Sequence, residues 1–129
     1  MMRLLDTDVM VDILRAYLPA IEWLTLLNDD APGLPGFVVL ELMDGCRNKM
    51  EMMRLLKRIE PFHIYWPTDS DCNRALVAFA RSRLSHKLSV LDVLIAECAV
   101  GLNATLCTFN TKHFKAIPRL RTEQPYEKK

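Results

Sequence analysis

Residues 4–14, LLDTDVMVDIL, decide the fold of this chain, because a short apolar run stops abruptly there at Asp6. After Asp6 the apolar residues recur at helical spacing, at Val9, Met10, Ile13 and Leu14. The stretch therefore predicts a buried strand that passes directly into a helix. Two acidic side chains, Asp6 and Asp8, stand at the junction between these elements.

The rest of the chain alternates in the same way between short apolar runs and helical patterns. One further strand is predicted to end near Phe37, and others are predicted over 61–66 and 105–108. Residues 120–121 are predicted to add an edge strand. Further helices are predicted over 20–27, from the strand end near Phe37 to about Arg47, and over 50–59, 68–84 and 89–100. This alternation is typical of an α/β domain with a mainly parallel sheet. We expect one domain over 1–122 and a polar, frayed tail over 123–129.

The composition is that of a folded domain. Half of the 129 residues are hydrophobic and 26% are charged, which excludes a disordered chain. The net charge of +1 neither indicates nor excludes a nucleic-acid partner. The four cysteines are scattered, so we interpret them as reduced packing residues. No apolar run approaches the roughly 20 residues that span a bilayer, and we expect a cytoplasmic protein without a membrane partner.

Polar residues stand where the predicted strands end. Ligands of parallel sheets bind beyond the carboxyl ends of the strands. The candidate site residues at those ends are Asp6, Thr7, Asp8, Glu41, Asp92, Asn110 and His113. Three of them, Asp6, Glu41 and Asp92, are carboxylates that would repel one another in one crevice, so they either stay protonated or bind a cation. Oxygen ligands suit Mg²⁺ or Mn²⁺, and such an ion supports hydrolysis of a phosphodiester.

Each acid also has a purely structural interpretation. Asp6 is a preferred N-cap residue, and Asp8 in the first turn would be favoured by the helix dipole. Glu41 interrupts an apolar run but could point outward from a helix. Asp92 shares a helical face with apolar residues, which directs it inward. Glu97 lies about 140° further around the same helix and is expected to face elsewhere.

The remaining candidates are weaker. Thr7 is interpreted as a local cap or as a hydrogen-bond partner of a ligating acid. Asn110 is as much a cap or turn residue as a ligand, and His113 is more typical of a surface or substrate-facing residue than of a metal ligand.

Four segments together resemble the PIN-domain family, and more narrowly its VapC-type toxins. In order they are 4–12 (LLDTDVMVD), 40–45 (LELMDG), 91–99 (LDVLIAECA) and 108–114 (TFNTKHF). The resemblance implies a three-layer α/β/α domain with a central, mainly parallel sheet. It also implies an endoribonuclease that needs Mg²⁺ or Mn²⁺, with metal-binding acids at Asp6, Glu41 and Asp92.

The resemblance has further implications for the site and its partners. The family's fourth acid falls in 110–113, where this chain has no Asp or Glu, so Asn110 would be a neutral substitute. The expected partners are an RNA substrate, a VapB-type antitoxin protein and a second copy in a homodimer. An adaptable apolar groove for the antitoxin could come from Leu42, Met43, Met50, Met52 and Met53, which could equally fill the core or the dimer seam.

Two other functions compete with the nuclease. The string Asp6-Thr7-Asp8-Val9 after a strand also resembles haloacid-dehalogenase-type phosphatases, in which Asp6 would be the nucleophile. That family also wants a lysine and a later acidic pair, which this short chain fits poorly. The missing fourth acid favours a second alternative, a catalytically silent PIN-like module that binds RNA or a protein.

Overall fold

The structure is a computed structural model that describes residues 1–27 and 31–128. Its strands are β1 (Arg3–Leu5), β2 (Leu34–Pro35), β3 (Ile64–Tyr65), β4 (Thr105–Cys107) and β5 (Arg121–Glu123). Its helices are α1 (Thr7–Leu14), α2 (Leu18–Leu26), α3 (Gly36–Asp44), α4 (Lys49–Ile59), α5 (Asp69–His86), α6 (Val90–Gly101) and α7 (Thr111–Phe114). The alternation of strands and helices agrees with the sequence-based prediction.

All described strand pairs are parallel. Strand β4 lies between β1 and β5, and β2 pairs with β3. A parallel bridge between Leu4 and Gly33 joins the two groups, so the strand order is β3-β2-β1-β4-β5. After β1, the chain adds β2 and β3 on one side of that strand and then returns to add β4 on the other side. At such a switch point, the carboxyl ends of β1 and β4 form a crevice in which ligands bind. The predicted α/β/α fold with a parallel sheet is confirmed.

The second strand does not lie where the sequence predicted it. It ends at Pro35, and Phe37 already belongs to α3, so the predicted strand end near Phe37 is wrong. The apolar run 37–43 is a helix packed into the core, and periodicity alone does not separate such a helix from a buried strand. Gly36 lets the start of α3 approach Trp66, because a Cβ there would lie 2.4 Å from the indole ring.

Helix α6 is the centre of the core. It contacts β2, β4, α3 and α5, and its buried residues include Ile95, Cys98 and Ala99. A helix that is apolar on nearly all sides is buried on nearly all sides. Gly101, at its end, admits the carboxylate of Asp71 from α5, since a Cβ would lie 2.1 Å from Oδ1.

One arginine ties α5 to α6. Arg74 Nε lies 2.9 Å from Glu97 Oε1, and its Nη2 binds both Asp71 Oδ1 and the main-chain oxygen of Glu97. Both carboxylates are buried. Glu97 therefore faces away from the other acids of its helix, as the helical geometry predicted.

The tail packs onto the domain and is not frayed. Residues 121–123 form β5, and Tyr126 hydrogen-bonds Asp12 on α1. Lys129 lies outside the described residues. The division of the chain at residue 122 stays a prediction.

The sequence also led to predictions about the cysteines and about membrane-spanning segments. All four cysteines are free, and Cys98 and Cys107 are buried packing residues, but Cys72 is exposed and does not fit that interpretation. Among the helices of the described segments, none is both long and apolar enough to cross a membrane.

Replacing Arg74 by Met should lower the free energy of unfolding by about 3 kcal/mol, because Asp71 and Glu97 would remain buried without their cation. Urea unfolding measures this loss. The control is Arg47→Met, which breaks the pair with Glu51 on the exposed side of α4 and should leave the stability nearly unchanged. Equal effects of the two substitutions would contradict the assignment.

Candidate active site

The candidate site forms where β1 and β4 end side by side. Asp6 directly follows β1, and its main-chain N–H donates to the carbonyl of Cys107, the last residue of β4 (3.0 Å). Thr108 follows β4 and is fully buried. The two strand ends thus bring residues 102 positions apart in the sequence into direct contact.

Asp6 is a buried N-cap with a second role. Its Oδ1 accepts the main-chain N–H of Thr7 (2.8 Å), and its Oδ2 accepts the hydroxyl of Thr108 (2.7 Å). The residue is only 4% exposed. Burial raises the pKa of Asp6 to about 7, the charges of Asp8 and Asp92 add to the rise, and the two hydrogen bonds oppose it.

Asp8 joins the first helix to the segment after β4. Its Oδ1 accepts the main-chain N–H of Val9 (2.8 Å), and its Oδ2 accepts that of Phe109 (3.0 Å). Burial raises the pKa of Asp8 as well, although these two bonds favour the ionised form. Asp8 therefore belongs to the same group of acids as Asp6, Glu41 and Asp92, which we call the acidic cluster.

Glu41 reaches the cluster through Thr7. It is half-buried on α3, and its Oε1 accepts the hydroxyl of Thr7 at 2.8 Å. Thr7 thus donates its main-chain N–H to Asp6 and its hydroxyl to Glu41. This agrees with the interpretation of Thr7 as a hydrogen-bond partner of the acids. It is the first residue of α1, whose N-cap is Asp6.

Asp92 lies near Asp6 but is engaged in capping its own helix. Its Oδ2 accepts the main-chain N–H of Ser89 (3.0 Å), and the Ser89 hydroxyl accepts the N–H of Asp92 (3.1 Å). Its charge still contributes to the raised pKa of Asp6. Asp92 is half-buried, so the predicted inward tilt is partial.

Asn110 and His113 stand apart from the acids. Asn110 is the exposed N-cap of α7, its side chain makes no capping bond, and its main-chain N–H donates to the Thr108 hydroxyl (3.1 Å). His113 is exposed on α7. Neither side chain hydrogen-bonds any of the acids in the described part of the chain.

Sequence analysis did not single out Thr108, although its hydroxyl contacts Asp6. A threonine after an apolar strand has no distinctive spacing. The only available signal was its place at the end of the strand that neighbours β1. The role of Phe109 was equally hidden, because its main chain and not its side chain holds Asp8.

The donor set fits a hard divalent cation. Asp6, Asp8, Glu41 and Asp92 form no ion pair within residues 1–27 and 31–128, although the charge of Lys128 favours ionised Asp8. Carboxylate oxygens are the ligands that Mg²⁺ and Mn²⁺ prefer. The described side chains do not converge as a set of three metal donors. Glu41 and Asp92 are instead occupied by Thr7 and Ser89.

An apolar groove leads into this site. It runs between α1, α3 and α4 and is lined at its inner end by Thr7 and Glu41. Its apolar residues are Val11, Leu14, Leu42 and Leu55. Of the five residues expected to form a groove, Leu42 lines this one, whereas Met50 and Met53 are exposed on α4.

In the absence of divalent ions, the protein should lose stability as the pH rises from about 4 to about 7. The pKa of Asp6 is raised in the folded state, so the unfolded chain loses this proton first and the free energy of unfolding falls with pH. Asp6→Asn keeps a good N-cap and should raise the stability at pH 7.5 by about 2 to 4 kcal/mol. Urea unfolding in EDTA at several pH values measures both effects.

The matched control is Asp69→Asn, which changes an exposed acid on α5 and should keep the parental pH dependence. If Asp6→Asn retains the same decline with pH as the parent, Asp6 is not the titrating group.

Comparisons with known proteins agree with this fold. The PIN domain model matches residues 3–120. Ribonuclease VapC10 of Mycobacterium tuberculosis is 32% identical over 124 residues, which cover 93% of this chain and 91% of the relative. The structure of VapBC2 from Rickettsia felis, bound to a DNA fragment from their promoter, matches with 27% identity and a TM-score of 0.77, covering 95% of this chain and 98% of that chain.

A toxin–antitoxin complex from Klebsiella pneumoniae has the same TM-score of 0.77 at 24% identity, covering 98% of this chain and 99% of that chain, and supports the fold alone. The match over 3–120 disfavours the phosphatase alternative, because that interpretation depended on residues 6–9 alone. With the acidic cluster at the ends of β1 and β4 and a family match over almost the whole length, this chain belongs to the PIN-domain family and is similar to the VapC ribonucleases.

Proposed function

We propose that the protein is an endoribonuclease that hydrolyses RNA phosphodiester bonds with Mg²⁺ or Mn²⁺ held by Asp6, Glu41 and Asp92. The observation that carries the proposal is the acidic cluster around buried Asp6, whose acids form no ion pair within the described residues. The ribonuclease name of the 32% identical relative supports RNA as the substrate. A nuclease of this class needs such a cluster to hold its ion.

The three acids have different freedom to act. Asp6 is fixed by two hydrogen bonds and is the anchor of the set. Glu41 is held by one hydroxyl and Asp92 by its own helix cap, so both can exchange these partners for an ion. A bound Mg²⁺ or Mn²⁺ would supply Lewis-acid activation of water and charge neutralisation at the phosphodiester.

The neighbouring residues orient the acids and meet the substrate. Hydrogen bonds of Thr7 and Asp8 link α1 to α3 and to the segment after β4. Asn110 takes the neutral fourth position beside Thr108, and His113 is exposed on α7, where it can contact RNA. The positive charge of the exposed Lys112 on the same helix suits a phosphate backbone.

Asp6→Asn, Glu41→Gln and Asp92→Asn should each lower Mn²⁺-dependent RNA cleavage at least about 100-fold, because each removes an anionic ligand of the ion. Cleavage of a mixed cellular RNA, analysed on gels with and without EDTA, measures the loss. Asp69→Asn is the matched control and should cleave like the parent. Circular dichroism checks that all variants fold.

Parental cleavage rates in Asp6→Asn or Asp92→Asn would refute the assignment. A parent protein that binds RNA but leaves it intact with Mn²⁺ would instead establish the catalytically silent alternative. That alternative draws on one observation, the absence of an acid at 110–113.

We further propose that the protein is the cytoplasmic toxin of a VapBC-type pair and is held inactive by a VapB-type antitoxin. The groove between α1, α3 and α4 supports this partner, because its lining combines apolar side chains with the charged Arg15 and Glu51 and includes Thr7 and Glu41. A chain that occupies the groove would block access to the acids. The VapBC2 structure from Rickettsia felis supports the same pairing.

Expression of the protein alone should arrest growth, and co-expression of its VapB-type antitoxin should relieve the arrest. Leu14→Glu places a charge in the groove and should weaken binding of the antitoxin at least about 10-fold, as titration calorimetry would measure. Leu26→Glu, on an exposed position of α2 outside the groove, is the control. Undiminished growth with a verified active enzyme would contradict the toxin role.

A homodimer is also proposed. The exposed residues Leu76 of α5 and Val90 of α6 line one pocket together with Phe79 and Leu94, and such an apolar surface is typical of a subunit contact. Light scattering after gel filtration tests this state, and a monomer at micromolar concentration would contradict it.

A further inference from the structure

The C-terminal tail makes specific contacts with the rest of the domain. The ring of Tyr126 lies 4.9 Å from that of Phe109, 6.1 Å from that of Tyr17 and 6.2 Å from that of Trp23, measured between centroids. Its hydroxyl donates to Asp12 Oδ2 at 2.7 Å. Burial and the bond to Asp12 raise the pKa of Tyr126, so the phenol remains a donor. One tail residue thus contacts α1, α2 and the segment after β4.

Lys128 binds two of the same partners. Its Nζ lies 3.1 Å from Asp12 Oδ2 and 4.3 Å from the centroid of the Phe109 ring. A cation over an aromatic face is attracted by the ring. Tyr126 and Lys128 together therefore hold Phe109 and Asp12 as a pair, and we call these two tail residues the strap.

The strap acts on a segment that itself holds the acidic cluster. Phe109 donates its main-chain N–H to Asp8, and the preceding Thr108 donates its hydroxyl to Asp6. Asn110, on the other side, donates its N–H to the Thr108 hydroxyl. The ring of Phe109 is thus fixed by the tail, while the main chain around it binds two acids.

Beyond β5, the polar contacts of the tail are concentrated on one partner. Gln124 and Glu127 are exposed, and the Gln124 side chain donates to the carbonyl of Tyr126 within the tail. Glu123, within β5, pairs instead with Arg3 of β1. Among the described residues 124–128, the side-chain hydrogen bond and the ion pair that leave the tail both end on Asp12 of α1. A tail that only covered apolar surface would not require a hydroxyl and an ammonium on one carboxylate oxygen of Asp12.

We propose that Tyr126 and Lys128 are positioning residues of the nuclease site: they press Phe109 against α1 so that the segment 108–109 keeps Asp6 and Asp8 in place. The inference rests on the proposed function in its catalytic and Mn²⁺-binding readouts, whereas hydrogen exchange at Phe109 is independent of that function. Neither residue contacts Asp6, Glu41 or Asp92 through the hydrogen bonds and ion pairs of the described chain. Both residues act through Phe109 and Asp12, and the charge of Lys128 also favours the ionised form of Asp8.

The test compares full-length Tyr126→Ala, Tyr126→Phe, Lys128→Met and Lys128→Arg with the parent. Two readouts do not depend on cleavage: amide hydrogen exchange at Phe109 and the Kd for Mn²⁺ alone. Tyr126→Ala should accelerate exchange at Phe109 at least about 10-fold and weaken Mn²⁺ binding about 10-fold, the effect typical of lost partners behind a ligand. Exchange in β1 and β4 should stay parental.

The conservative variants separate the components of the strap. Tyr126→Phe keeps the ring but loses the bond to Asp12 and should show a smaller effect of about 3-fold on both readouts. Lys128→Met should resemble it, and Lys128→Arg, which keeps the cation, should restore parental behaviour. In RNA cleavage, Tyr126→Ala should lower kcat and leave KM unchanged. Glu127→Gln is the matched tail control and should match the parent.

Unchanged exchange at Phe109 and unchanged Mn²⁺ binding in Tyr126→Ala would overturn the proposal. It would also be overturned if exchange accelerated equally in β1 and β4, because the tail would then serve general stability. A parent protein without nuclease activity would refute the proposed function but not the strap, which exchange at Phe109 still decides.

Discussion

Asp6 follows the central strand β1 directly, and this placement buries a carboxylate with the charges of Asp8 and Asp92 nearby. Burial disfavours the ionised form, and neighbouring negative charges disfavour it further. The hydrogen bonds from Thr7 and Thr108 offset only part of this effect, because the pKa remains about 7. Burial and neighbouring charge therefore dominate the electrostatics of Asp6, and the hydrogen bonds of the site are arranged around it.

The acids are held by helix N-termini, which orient them without neutralising them. Asp6 caps α1, and Asp92 caps α6 together with Ser89. Main-chain N–H groups at a helix start stabilise a carboxylate through partial charges and hydrogen bonds. They leave its formal charge in place. The same geometry therefore serves the stability of two helices and fixes the orientation of two carboxylates, Asp6 at the end of β1 and Asp92 on its own helix.

Local patterns predicted the elements that bear the acids, but not the contacts between them. The apolar pair before Asp6 and the long helical stripe of α6 were sufficient to locate β1, α1 and α6. The run 37–43 misled the prediction of the second strand, because a helix buried on several sides has no polar face to reveal its period. A contact such as Thr108 to Asp6 depends on which strands are neighbours, and sequence spacing does not state that order.

The packed C-terminal tail differs most from the sequence-based prediction, which was a frayed end. The cause is again that the contacts join distant parts of the chain. A segment rich in Glu, Gln and Lys has the composition of a frayed end. Tyr126 is a single aromatic residue within it, and its partners Tyr17, Trp23 and Phe109 come from distant parts of the chain. Only the assembled fold brings these rings together.

The pairing of β1 with β4 has a consequence for how the protein is made. Leu5 and Cys107 are register partners, so the centre of the sheet closes a loop that contains most of the chain. Contacts of such long sequence separation form late and slow the folding of a domain. During synthesis, the first strand leaves the ribosome long before its partner exists. A truncated translation product that lacks β4 therefore carries Asp6 and Glu41 but cannot assemble their surroundings.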